Sequence, residues 1–136
     1  MDKMFHFQVA TSDGAIVDTQ TSYVSVPLVD GECGILAGHA PMIAALKEGV
    51  VKFKTEEAED YAAVSGGVLS VAYNEVIILA RSAELAESID LARAQAAESR
   101  ARSRIENRSS DVDMQRAEAS LHRAIAREKA YKLLNK

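Results

Sequence analysis

The sequence predicts two units of different class: short β-strands that close into an antiparallel sandwich or barrel, then a helical tail. Three observations carry this. All seven glycines and both prolines lie at or before Gly67. Upstream of that point apolar residues alternate with polar ones in short segments punctuated by turn residues, the period of half-buried strands. Residues 90–136 are rich in Ala, Arg, Glu, Ser and Leu, hold no helix breaker, and repeat apolar residues at helical spacing. The change of character falls on Ile89-Asp90-Leu91-Ala92-Arg93-Ala94.

Taken in order, Phe5, Phe7 and Val9 alternate with His6, Gln8 and Ala10, and Asp13-Gly14 marks a hairpin turn. Val24, Val26 and Leu28 alternate with Tyr23, Ser25 and Pro27. The proline predicts an edge position or a strand end, because it has no N–H for the ladder. Gly31, Gly34 and Gly38 punctuate a predicted loop that ends at Pro41. Pro41 is suited to open a short helix over Met42–Leu46, which Gly49 would close. Val50–Lys54, Tyr61–Ser65, Val68–Tyr73 and Val76–Ala80 read as further strands, with turns at Gly66-Gly67 and Asn74-Glu75.

In the tail, Leu91, Ala94, Ala101 and Ile105 fall at a/d spacing, interrupted by Glu98. Met114, Ala117, Leu121, Ala124 and Tyr131 form a second stripe, broadened by Ile125 and Leu134. Between them lies the polar stretch Asn107-Arg108-Ser109-Ser110, and Ser110 with Asp113 offers a capping-box start. An antiparallel helical hairpin is the simplest arrangement, its second helix about 24 residues and roughly 36 Å long. The stripes are thin: their alanines contribute little buried area, and roughly five large apolar residues must offset the ordering of the segment, so the hairpin should be marginally stable alone. Lacking Gly and Pro, it could open and stay helical.

Charge is divided unevenly. Residues 1–89 carry 5 Lys/Arg against 13 Asp/Glu, a formal −8, whereas residues 90–136 carry 11 against 7, a formal +4. A basic tail on an acidic body points to self-docking or to an anionic ligand. Nucleic acid is disfavoured, because the arginines are interleaved with acids and Tyr131 is the tail's one aromatic. Cys33 is the single cysteine, which excludes an internal disulfide and a cysteine-based metal site; a small, buried or half-buried filler is expected there. His6, His39 and His122 lie in different predicted elements, so neither a metal site nor a nucleophilic centre is expected. The N-terminus lacks a signal-peptide profile, and the apolar run Val76 to Ala80 is far too short to span a bilayer, so no direct membrane insertion is expected.

Four stretches then meet a known pattern: Gly31-Glu-Cys-Gly-Ile-Leu-Ala-Gly-His-Ala-Pro41, Ala63-Val-Ser-Gly-Gly-Val-Leu69, Val76-Ile-Ile-Leu-Ala80 and the hexad Ile89–Ala94. In this order and spacing the chain resembles the epsilon subunit of F-type, bacterial-type ATP synthases along its whole length. It departs at Ala37, where that family usually has proline, and at Cys33, where it usually has an aliphatic residue. The resemblance implies a ten-stranded antiparallel β-sandwich over residues 1–85, the foot of a rotor, and a two-helix antiparallel regulatory hairpin over 86–136. It implies a non-catalytic central-stalk subunit of the proton-translocating enzyme, peripheral at the cytoplasmic face of a bacterial membrane. Its partners would be the gamma subunit, the ring of c subunits and, for an extended hairpin, the alpha/beta catalytic head. The extended form would block ATP hydrolysis. Glu32 and His39 fall in the loop that, by the resemblance, faces the c ring; without it, they read equally as a surface loop with His39 capping the short helix after Pro41.

The arginines carry the remaining chemistry. Arg93 and Arg100 are seven apart, and Arg123 and Arg127 four apart, so each pair shares a helix face. On spacing alone they are either a solvated face with intrahelical ion pairs or a fork of guanidiniums facing a triphosphate across the hairpin. The resemblance favours the fork. In the ATP-binding bacterial members the hexad marks a nucleotide site, with an upstream glutamate and later arginines, which match Glu84, Ile89, Asp90, Arg93, Arg100, Arg123 and Arg127. Ile89 is then expected to pack on adenine, Glu84 to accept from its amine, Asp90 to orient Arg93 or cap the helix, and the arginines to hold phosphates. No Walker loop and no positioned base or metal carboxylates are present, so no cofactor is required and ATP is a regulatory ligand rather than a substrate. A free-standing nucleotide-sensing module of the same fold is the alternative; it leaves the loop at 31–41 unexplained. A small hydrolase lacks the residues to run it.

Overall fold

The computed structural model describes residues 3–107 and 113–136. β1 (Phe5–Thr11) and β2 (Gly14–Thr21) form the hairpin marked by Asp13-Gly14, with Thr11 opposite Gly14. β3 (Tyr23–Leu28), β4 (Gly31–Leu36), β5 (Met42–Leu46), β6 (Gly49–Lys54), β7 (Glu59–Ala72) and β8 (Glu75–Leu85) follow. The pairing order is β2-β1-β8-β7-β5-β3-β4, with β6 joined to β3 and β7. Every pair is antiparallel except β1 with β8, which run parallel. The strands fold into a β-sandwich around one core that includes Phe7, Val9, Val26, Ile35, Val51, Leu69 and Ile78.

Eight strands stand where ten were expected, because two are long. The predicted turn at Gly66-Gly67 is instead a bend inside β7: its residues up to Val64 pair with β6, and those from Gly67 onward pair with β5. β8 follows it across the bend, from Ala72 opposite Glu75 to Ala62 opposite Leu85. Gly66 and Gly67 adopt φ of +59° and +124°, and a Cβ on Gly67 would lie 2.1 Å from the Leu79 carbonyl oxygen. Only glycine satisfies both demands. The last hairpin turns at Tyr73-Asn74, one residue before the predicted Asn74-Glu75, with Asn74 at φ 57°.

Three local expectations are corrected. Met42–Leu46 is strand rather than helix: Met42, Ala44 and Leu46 turn towards the core, Ile43 turns outward, and the segment pairs with β7 from Met42 opposite Val71 to Leu46 opposite Gly67. That ladder overrides the local helical signal of Pro41, and with it goes the idea of His39 as a helix cap. Gly31–Leu36 is also strand, paired residue by residue with β3. β3 is therefore interior, and its Pro27 is tolerated for a different reason than an edge position. Ser25 pairs with Lys52 of β6 and Leu28 with Leu46 of β5, so Pro27 sits where the pairing passes from one neighbour to the other. Its missing N–H falls in that gap.

After a single 3₁₀ turn at Ala86–Ser88 come α1 (Leu91–Glu106) and α2 (Met114–Leu134). Asp90 and Asp113 cap them, each side chain accepting a backbone N–H three residues on, from Arg93 and Arg116, at 3.1 Å. The proposed capping serine, Ser110, lies outside the described residues. At 21 residues α2 is about 32 Å long, slightly shorter than expected. The two helices pack on each other, and α2 also lies against β6 and β7. Within them the buried residues are all alanines: 94 and 101 in α1; 117, 124, 126 and 130 in α2. Ile125 and Leu134, expected to broaden the stripe, are more than a third exposed. A second apolar cluster of Val50, Ala63, Ala86, Ile89, Ala126 and Ala130, flanked by Tyr61, Tyr131 and Leu133, joins α2 to the sandwich.

Candidate functional site

Short alanines between the helices leave room along their seam. A cleft of about 580 Å³ opens there, walled by α1, α2, the middle of β7 and the C-terminal end of β8. Arg93, Arg100 and Arg104 enter it from α1, Arg123 and Arg127 from α2, and Glu84 from β8. Ala97, Ala101 and Ala124 form its apolar stretch, and Ser65, Ser82 and Ser120 add hydroxyls. Spacings of seven and four place the three α1 arginines on one face, two turns and then one turn apart.

The arginines differ in engagement. Arg127 Nε donates to Glu84 Oε1 at 2.9 Å, and Arg123 Nη2 donates to Ser120 Oγ at 2.9 Å. Among the described residues no carboxylate lies within ion-pair distance of Arg93, Arg100 or Arg104. The intrahelical pair on α1 belongs to Arg102, which holds Glu98 at 2.8 Å away from the cleft lining. Five guanidiniums facing one carboxylate make a strongly positive concavity whose low-dielectric alanine floor focuses the field. Such a cleft accepts an extended, multiply charged anion, with planar donors available for bidentate contact.

The structure thus gathers Glu84, Arg93, Arg100, Arg123 and Arg127 into one cleft. It does not bring Ile89 there: that side chain is 6% exposed and packs with Val50, Ala63 and Ala126 in the cluster that fastens the helices to the sandwich. An aliphatic residue just before a helix cap is a natural anchor, so its burial has a physical reason. Asp90 is also absent from the lining; it caps α1 through the Arg93 N–H. Arg104 and the three serines line the cleft without having been singled out by sequence. Arg104 carried a signal, since it lies four residues after Arg100 on the same face; the serines carried none. Glu32 and His39 stand apart from the cleft. Glu32 Oε2 accepts from Ser25 Oγ at 2.7 Å on β4, and His39 Nδ1 meets the Ala40 carbonyl at 2.7 Å. Cys33 is half-buried against the core, as expected of a filler.

Comparison with known proteins decides the lineage. The family model described as ATP synthase, Delta/Epsilon chain, beta-sandwich domain matches residues 4–86, and that described as the long alpha-helix domain matches residues 87–132. The chain belongs to the ATP synthase delta/epsilon chain family. The ATP synthase epsilon chain of Bacillus velezensis is 46% identical over 125 residues, covering 92% of this chain and 95% of the relative. That of Symbiobacterium thermophilum is 46% identical over 113 residues, covering 83% of this chain and 81% of the relative. Among solved structures, a chain of the Euglena gracilis mitochondrial ATP synthase (OSCP/F1/c-ring) shares the fold at a TM-score of 0.79 and 22% identity, over 98% of this chain and 82% of that one. Among the described residues of this epsilon-family chain, no helix is long and apolar enough to cross a membrane.

Proposed function

We propose that this chain is the central-stalk epsilon subunit of a proton-translocating ATP synthase, at the cytoplasmic face of a bacterial membrane. Residues 1–85 form the rotor foot, held by gamma and the c ring, and residues 86–136 form an antiparallel regulatory hairpin. The subunit has no catalytic site of its own. Its hairpin brakes ATP hydrolysis by extending towards the alpha/beta head, and ATP bound in the cleft keeps it folded.

The observation that carries the ATP reading is the convergence of arginines from both helices on one wall of the sandwich. An anion held there contacts three elements at once and therefore binds only the folded state. Arg93, Arg100, Arg123 and Arg127 take the phosphates, Asp90 fixes the start of α1, and Glu84 accepts from the base amine. At a hundredfold excess over its Kd, such a ligand stabilises the folded hairpin by about 2.7 kcal/mol. That is enough to reposition a weak alanine seam. Two surface features support the docking role. Ile43, Val68 and Leu79, 80%, 43% and 56% exposed, lie near one another on β5, β7 and β8, with Val68 directly opposite Leu79. This apolar outer face suits the gamma subunit. Glu32, on the edge strand β4, and His39, just after it, suit polar contact with the c ring.

The test is hydrolysis by the assembled enzyme at low and high ATP. Inhibition that high ATP relieves is expected, with loss of that relief in the Arg123→Ala/Arg127→Ala variant. Unchanged ATP sensitivity in the variant would contradict it.

A further inference from the structure

Glu84 is the one carboxylate lining a cleft of five arginines, and it is engaged. Its partner, Arg127, stands on α2 while Glu84 stands on β8. Among the described residues theirs is the one ion pair that joins the sandwich to the helices. We propose that this pair is an exchangeable clasp: Glu84 holds Arg127, and with it α2, while the cleft is empty, and an incoming polyphosphate takes Arg127 over.

The geometry supports exchange. The contact runs through Nε alone at 2.9 Å, so the carboxylate does not occupy the full fork of the guanidinium. The side chains are 27% and 35% exposed, open to a ligand and to water. A phosphate brought to Arg127 would lie beside the Glu84 carboxylate, and two anions on one guanidinium repel. The phosphate prevails because Arg93, Arg100, Arg104 and Arg123 share its charge, whereas Glu84 has a single partner. Docking survives the exchange, since the ligand itself now bridges the helices, and the released carboxylate is free for a base amine. Glu84 is therefore a positioning residue of opposite sign in the two states: it favours docking when the cleft is empty and opposes polyphosphate when it fills.

The exchange half rests on the anion-binding reading of the cleft; the docking half does not. The test uses the full chain, with inorganic tripolyphosphate and ATP as separate probes in calorimetry. Docking is read by spin-label distances between T19C and K129C in a C33S background. Glu84→Gln should tighten tripolyphosphate roughly two- to fivefold, the range of a partly exposed ion pair. It should also raise the undocked fraction without ligand. The tightening should vanish in an Arg127→Gln background, where a mere loss of negative charge near the cleft would persist. Tripolyphosphate bound equally or more weakly by Glu84→Gln, or tightening that survives in Arg127→Gln, overturns the exchange. Unchanged label distances in both single variants overturn the clasp. A wild-type chain that binds neither probe removes the anion-binding reading and the exchange with it, and the distances alone then decide the docking role.

Discussion

Glu98 on α1 and Glu128 on α2 face each other across the helix seam, close enough for each carboxyl group to shift the protonation of the other. Hydrogen bonding from Glu128, then from Arg102, holds the Glu98 carboxyl below its ordinary value of 4.5. Burial, then the hydrogen bond and charge of Glu98, pushes Glu128 above it. Arg102 and Lys132 are the cations that face the pair. Glu128 contributes stability that is present below its unfolded value and lost as pH rises through its raised folded value. Glu98 contributes stability that is present above its unfolded value and lost as pH falls through its lowered one. The seam is thus tightest around the ordinary carboxylate range and loosens towards neutrality, where two ionised carboxylates repel. Amide-exchange protection of both helices, corrected for intrinsic rates, should fall in the wild type as pH rises above the ordinary carboxylate value and through the raised value of Glu128. In Glu128→Gln the fall should be absent and protection at neutral pH higher. Equal pH dependence in both proteins would exclude the pair as its source.

Gly67→Ala tests the bend that makes eight strands out of ten expected ones. The substitution combines a φ of +124° with a Cβ 2.1 Å from the Leu79 carbonyl oxygen. A cost of about 3 kcal/mol or more is expected in chemical denaturation. Gly38→Ala, at φ +83° with nothing within 4 Å of its Cβ, should cost only the backbone penalty of about 1 kcal/mol. Similar costs for the two would mean that β7 relaxes around the new methyl group.

How far the sequence revealed this molecule follows from the range of the interactions. The tail helices were legible because an unbroken helical period is local, whereas Asp113, expected as the acidic member of a capping box, is itself the cap of α2. The arginine cleft was legible as two pairs at helical spacing. Met42–Leu46 was misread because its partner, Gly67–Val71 in β7, is remote in the chain, and a five-residue apolar run has no decisive period of its own. Gly66-Gly67 was misread because a glycine pair marks a bend and a turn alike; the continuity of β8 opposite it decides. Ile89, expected to pack on adenine, lies outside the cleft in a cluster shared by the sandwich and α2, a long-range contact that the local sequence does not show. Glu98, noticed as an interruption of the stripe, acquired a meaning once Glu128 faced it.

Asp90 separates capping from ligand contact. As the cap of α1 it accepts the Arg93 N–H, a role that asparagine can fill and alanine cannot. Asp90→Ala should destabilise α1 by about 1 kcal/mol and weaken ATP binding in parallel, whereas Asp90→Asn should leave both nearly unchanged. Helix content by circular dichroism and ATP affinity by calorimetry check this. Loss of binding in Asp90→Asn with the helix intact would place the carboxylate on the ligand.

The outer face of the sandwich can be tested without touching the cleft. Ile43 is 80% exposed and Leu79 56%, so Ile43→Glu and Leu79→Glu remove no buried contact and should change stability by less than about 1 kcal/mol. Together they should abolish co-purification with gamma if that face is the docking surface. Retained co-purification of the folded double variant would move the interface elsewhere.

The most direct measurement is a calorimetric titration of ATP into the full chain, repeated with Arg127→Ala. Saturable binding by the wild type, weaker binding of ADP and a loss of at least about tenfold in the variant are expected, the last because a charge-assisted phosphate contact is removed. No binding at millimolar ATP, or binding that Arg127→Ala leaves unchanged, would contradict the claim that the cleft is a nucleotide site.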